Sequence, residues 1–136
     1  MKKLTLMIIL LIGTSIVAFG QLSTDFEMPL GTFQGSGKIA GGQHTIKIFS
    51  TLGSAMVYYT GATKCVANLS STDVGGLYEE IDQWDGATGK VSKDSCKEKG
   101  FVFLVGQGAN LVYHWGATKD EAMAKPMPVV LKKIKK

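Results

Sequence analysis

The segment His44-Thr45-Ile46-Lys47-Ile48 alternates apolar and polar side chains with period two, the spacing of a strand that lays one face on a core. Short runs of this kind, rich in β-branched and aromatic residues, recur along the chain, and almost every apolar run is too short for a helix. The pattern predicts strands at Thr32 to Ile39, Gln43 to Ser50, Ala55 to Thr60, Cys65 to Ser70, Gly76 to Trp84, Phe101 to Val105, Leu111 to Trp115 and Pro128 to Ile134. Glycine-rich turn signals separate them, among them Gly41-Gly42, Gly53-Ser54, Asp85-Gly86 and Gly106-Gln107-Gly108. Only Thr118 to Ala124 suits a helical turn or two, with Thr118 or Asp120 as N-cap and Pro126 as the stop.

About eight short strands with tight connections indicate an all-β fold, an antiparallel up-and-down β-barrel, with a two-sheet β-sandwich as the alternative. A closed barrel leaves no unpaired edge.

The N-terminus begins Met1-Lys2-Lys3, continues through the apolar run Leu4 to Ile12 and reaches small and neutral residues before Gln21. This charged, hydrophobic, small-residue order is that of a secretory signal peptide. The run is well short of the roughly twenty residues that cross a bilayer, so no stable membrane insertion is expected after cleavage. Residues 1–20 are therefore read as the signal. Residues 21–136 are read as one periplasmic or secreted barrel domain with a flexible lysine-rich tail. Its only cysteines, Cys65 and Cys96, are expected to pair in an oxidising compartment.

The formal charge is +4, and all fifteen cationic residues are lysine. Six of them lie at the two ends of the chain, so the body is slightly acidic. Without arginine the chain lacks the side chain best suited to bidentate phosphate and guanine contacts, which argues against nucleic acid as a partner.

In the stretch "LYEEIDQWDG", Leu77, Glu79 and Ile81 share one strand face, while Tyr78, Glu80 and Asp82 share the other. Taking the leucine and isoleucine as the core face makes Glu79 the buried carboxylate, with Lys64 or His44 as its partner. Glu80, Asp82 and Asp85 then form an acidic rim around Trp84, a contact surface for a basic protein. His114, between Tyr113 and Trp115, reads as a surface or rim histidine. No histidine spacing, calcium-loop frame or phosphate loop is present, so neither metal nor cofactor is expected. No second carboxylate is positioned beside Glu79, and the chain reads as a binding protein, not an enzyme.

"FQGSGK", a tyrosine-rich strand, "TKC", "YEEI", a second cysteine and "LVYHW" follow one another in an order that resembles the periplasmic inhibitors of C-type lysozyme. These are small disulfide-bearing β-barrels with the patterns S-G-x-x-Y and Y-x-x-x-T-K-G. Tyr59, Thr63 and Lys64 fit the second pattern up to Cys65, which replaces its glycine. Ser36-Gly37 begins the first, but Ala40 stands where tyrosine is expected. The resemblance implies that Ser36 and Lys64 reach into the cleft of a basic hydrolase such as lysozyme. The alternative expectation is a lipocalin-like carrier, in which Met56, Tyr58, Phe101, Phe103 and Tyr113 line the barrel around a small apolar ligand.

Overall fold

The computed structural model describes residues 26–39 and 41–134. The expected signal segment, Ala40, Lys135 and Lys136 lie outside the described residues. Strands β1 (Gly31–Ile39), β2 (Gly42–Thr51), β3 (Ser54–Gly61), β4 (Cys65–Ser71) and β5 (Leu77–Ile81) follow one another as antiparallel neighbours. A small hairpin, β6 (Trp84–Asp85) with β7 (Lys90–Val91), interrupts the meander before β8 (Phe101–Gln107), β9 (Asn110–Gly116) and β10 (Val129–Lys133). Pairing of β10 with β1 closes an eight-strand up-and-down barrel, so the sandwich alternative falls away.

The interior is filled by Phe33, Ile46, Ile48, Val57, Leu104, Leu111, Tyr113 and Leu131, all fully buried. Closure depends on two glycines of β1. A Cβ on Gly35 would lie 2.2 Å from the Val130 carbonyl oxygen, and one on Gly37 would lie 2.5 Å from Val129 Cγ2. Side chains at these positions would hold β1 and β10 apart. Within the expected strand Pro128 to Ile134, Lys132 and Lys133 belong to β10 and pair opposite Gln34 and Phe33.

Four of the residues expected to line the barrel do not. The inward set on β3 is Ala55, Val57 and Tyr59, and on β8 it is Val102 and Leu104. Met56, Tyr58, Phe101 and Phe103 lie on the outer face, where Lys119 covers Phe101 and Lys125 covers Phe103. Both faces of these strands are apolar, so alternation alone leaves the sides undecided, and the narrow interior takes the β-branched and aliphatic set.

Helix α1 (Lys119–Met123) packs on the outside of β8 and β9 and buries Ala122. The Thr118 side chain accepts from Glu121 N–H, and Glu121 in turn accepts from Ala117 N–H, a reciprocal N-terminal cap. His114 is not a surface group. It is 4 % exposed on this outer side, its Nδ1 has no hydrogen-bond partner, and burial, then the Lys125 charge, lowers its pKa.

Candidate functional site at the barrel mouth

The sequence places a glutamate inside the barrel, but it is the neighbour of the one expected. Glu79 is exposed, and Glu80 is 3 % exposed. Leu77 is buried as expected, yet on the outer side with α1 near it, and Ile81 is exposed. The inward set of β5 is therefore Tyr78 and Glu80, as their register opposite Val102 and Leu69 requires. Glu80 is thus not part of an acidic rim, and neither Lys64 nor His44 is its partner.

Three donors from three parts of the chain satisfy the Glu80 carboxylate. Oε1 accepts from Trp115 Nε1 at 2.7 Å and from Gly100 N–H at 3.0 Å. Oε2 accepts from the Tyr59 hydroxyl at 2.5 Å. The Tyr59 proton is committed to Glu80, so the Tyr113 hydroxyl donates to Tyr59, completing a chain Tyr113, Tyr59, Glu80. Burial is the first cause holding both phenols well above their usual pKa, with the Glu80 charge adding to it. They therefore remain donors. Gly100 is required beside this group, because a Cβ there would lie 2.7 Å from the Trp115 ring.

Of this cluster Glu80, Tyr59 and Trp115 line a cavity of about 490 Å³ at the end of the barrel where β1, β3, β5 and β9 finish. Tyr59, Trp115, His44 and Ile39 wall it, together with the Cys65–Cys96 disulfide, whose Cα atoms are 4.8 Å apart. The long β5–β8 connection forms one side. It is tied down by the Val66–Ser95 bridge, by Cys96 N–H donating to the Val66 carbonyl, and by Ser95 Oγ accepting from Gln83 N–H. Lys64, Lys93, Lys97 and Glu98 stand at the entrance, all exposed.

His44 is 3 % exposed, and its Nδ1 donates to the Gly42 carbonyl at 2.9 Å. Its other nitrogen, Nε2, has no hydrogen-bond partner among the described residues. It is not among the buried unpartnered atoms there, which are Gln83 Oε1 and His114 Nδ1, and His44 lines the cavity.

The remaining sequence candidates gather loosely at the same end. Asp82 pairs with Lys99 at 2.8 Å, and hydrogen bonding from that lysine lowers its pKa below the usual carboxylate range. Trp84, 60 % exposed, lies directly across from Val91, 44 % exposed, on the β6–β7 hairpin. Asp85 is exposed and caps the hairpin turn by accepting from Ala87 N–H. Ser36 lies on the outer face of β1, bonded to Thr45. The acidic rim thus reduces to Asp85 and an already neutralised Asp82.

Sequence reading missed Tyr59, Tyr113 and Trp115 as polar partners, and it missed Lys93 and Lys97. The available signal was that each of the three aromatics sits on the inward face of its strand, and that Tyr59 and Trp115 lie close to strand ends at the same barrel end as Glu80.

Among the described residues no group of three or more His, Cys, Asp or Glu is placed to hold a metal, and no helix is long and apolar enough to cross a membrane. Comparison of the chain with protein-family models, with curated proteins and with solved structures finds no match.

Proposed function

We propose that this is an exported, non-catalytic binding protein that takes a small ligand in the mouth of its barrel. The observation that carries the reading is the solvent-open cavity of about 490 Å³ over Glu80, Tyr59 and Trp115, with Tyr113 bonded to Tyr59 from beneath. A recess of that size, with Ile39, Tyr59, Trp115 and the disulfide set among polar and charged groups, suits a small amphipathic molecule. The filled interior argues against a carrier that swallows an apolar ligand whole. Both carboxylate oxygens of Glu80 are occupied by donors, which suits a rigid floor better than proton transfer. The disulfide and the signal-like N-terminus support export to the periplasm or beyond.

The test is a thermal-shift screen of small molecules against the protein and a Thr63→Trp variant. Thr63 is an exposed residue of the cavity wall, so the larger ring obstructs the entrance without touching the core. Hits that stabilise the parent and lose effect in the variant support the reading. Hits indifferent to Thr63→Trp, or no hits at all, argue against it.

A second reading, contact with a protein, rests on the exposed Trp84–Val91 pair at the same end. The resemblance to lysozyme inhibitors makes C-type lysozyme the partner to try. Inhibition of cell-wall lysis that is lost in Lys64→Ala and Ser36→Ala variants would favour it over the small-ligand reading.

A further inference from the structure

The polar groups left free around the cavity differ between its floor and its entrance. At the floor, the Glu80 charge is spread over three donors of the protein itself. The free group at depth is His44 Nε2. With Nδ1–H committed to the Gly42 carbonyl, Nε2 is the ring nitrogen left to accept a hydrogen bond from a ligand hydroxyl. The wall beside it is aromatic, with Tyr59 edge-on to the His44 ring at 6.2 Å between centroids and Trp115 half-buried. At the entrance stand Lys64, Lys93 and Lys97. None of them has a salt-bridge partner among the described residues, where the only ion pair is Lys99 with Asp82. Three unpaired ammonium groups face one carboxylate there, that of Glu98.

We infer that the mouth cavity selects a small aromatic acid bearing a hydroxyl group, seated with its hydroxyl inward on His44 Nε2, its ring along Trp115 and Tyr59, and its acid group outward among Lys64, Lys93 and Lys97. The inference rests on the small-ligand reading given above and adds the chemical class and orientation of the ligand. The orientation follows from charge. An acid group turned inward would meet the like charge of the Glu80 carboxylate at short range, whereas outward it meets the unpaired lysines. A cationic ligand would have to pass those lysines and would find Glu80 already engaged. The lysines are exposed, so they contribute attraction and orientation, while the ring contact and the His44 hydrogen bond fix position.

The probe is 4-hydroxybenzoate, titrated at low ionic strength with calorimetry and with the Trp115 indole N–H resonance as a local reporter. The uncharged methyl ester of 4-hydroxybenzoate and unsubstituted benzoate serve as comparisons. The acid is expected to bind at least about tenfold more tightly than the ester, the size of one charge-assisted contact. That ratio should collapse to about twofold or less in the triple variant Lys64→Gln, Lys93→Gln, Lys97→Gln, which alters exposed residues alone. Benzoate should bind more weakly than 4-hydroxybenzoate to the parent protein and equally to a His44→Phe variant. Should His44→Phe fail to fold, the benzoate comparison in the parent carries that arm. Equal binding of acid and ester, or an undiminished ratio in the triple variant, overturns the inference. So does failure of 4-hydroxybenzoate to bind while other small molecules shift the Trp115 resonance, an outcome that leaves a small-ligand mouth site standing. Absence of binding by any small molecule removes both readings.

Discussion

Glu80 and Glu79 are chemically identical neighbours in sequence, and the structure requires their substitutions to differ sharply. Glu80→Ala leaves the Tyr59 hydroxyl, the Trp115 indole N–H and the Gly100 N–H without their acceptor. Each unmet buried donor costs roughly 1–3 kcal/mol. Water from the adjoining cavity recovers part of that, which puts the whole loss at about 3–5 kcal/mol. Against a domain stability of about 5–15 kcal/mol this is a large fraction. Glu80→Gln is more discriminating. The amide oxygen can replace Oε1 and keep Trp115 and Gly100, but its NH2 then faces Tyr59. The Tyr59–Tyr113 hydroxyl chain can rearrange to accept it, yet one hydroxyl proton is then left with no acceptor. The expected loss is about 1–3 kcal/mol, below that of the alanine variant. Glu79→Ala, at an exposed position, should change stability by less than about 0.5 kcal/mol. Urea unfolding at neutral pH, with midpoints compared at constant slope, measures all three. Equal losses for Glu79→Ala and Glu80→Ala would refute the face assignment, and Glu80→Gln indistinguishable from the parent would refute the hydrogen-bond argument.

Three further outcomes follow from the same contacts. The disulfide closes a sequence separation of 31 residues, so a Cys65→Ala, Cys96→Ala double variant should lose roughly 3–4 kcal/mol in urea unfolding; a loss below about 1 kcal/mol would show that the β5–β8 connection is held without it. Tyr59 and Tyr113 have folded pKa values above the ordinary 10.0, so their contribution is whole below pH 10 and declines as pH rises further. Phenolate absorbance should show both ionising only as the barrel unfolds, and their titration in the native state would contradict the buried chain. His114 has its folded pKa lowered from 6.5, so the unfolded chain binds the proton first and stability falls as pH drops below about 6.5; His114→Gln should flatten that part of the stability profile, and an unchanged slope would assign it to another group.

The elements of this fold are close to the surface of the sequence, while its inside and outside are not. Tight glycine turns and period-two runs set the eight barrel strands within a residue or two at most ends, and Thr118 marked the helix start. The predicted strand Gly76 to Trp84 ran too long because no turn residue comes before Asp85-Gly86, although the chain turns away after Ile81 to start the Trp84–Val91 hairpin. The face errors share one cause. On β3 and β8 both faces are apolar, and on β5 the leucine that looked like the core residue is buried with α1 near it on the outer side. A carboxylate in the core face is legible only once its donors are known, and Tyr59, Gly100 and Trp115 come from three strands or connections far apart in sequence. The cavity above them is likewise a product of closure. Its entrance lysines sit on two separate connections that no local pattern links.

The central claim is that the barrel mouth over Glu80 is where this protein binds. Amide and indole resonances followed by two-dimensional NMR, while mixtures of small molecules including 4-hydroxybenzoate are added, test it most directly. The account predicts shifts concentrated on the Trp115 indole N–H, Gly100, Cys96 and Lys64. Shifts confined to the Trp84 hairpin or to the Leu52–Ser54 turn at the far end, with the Trp115 indole unmoved, would contradict it.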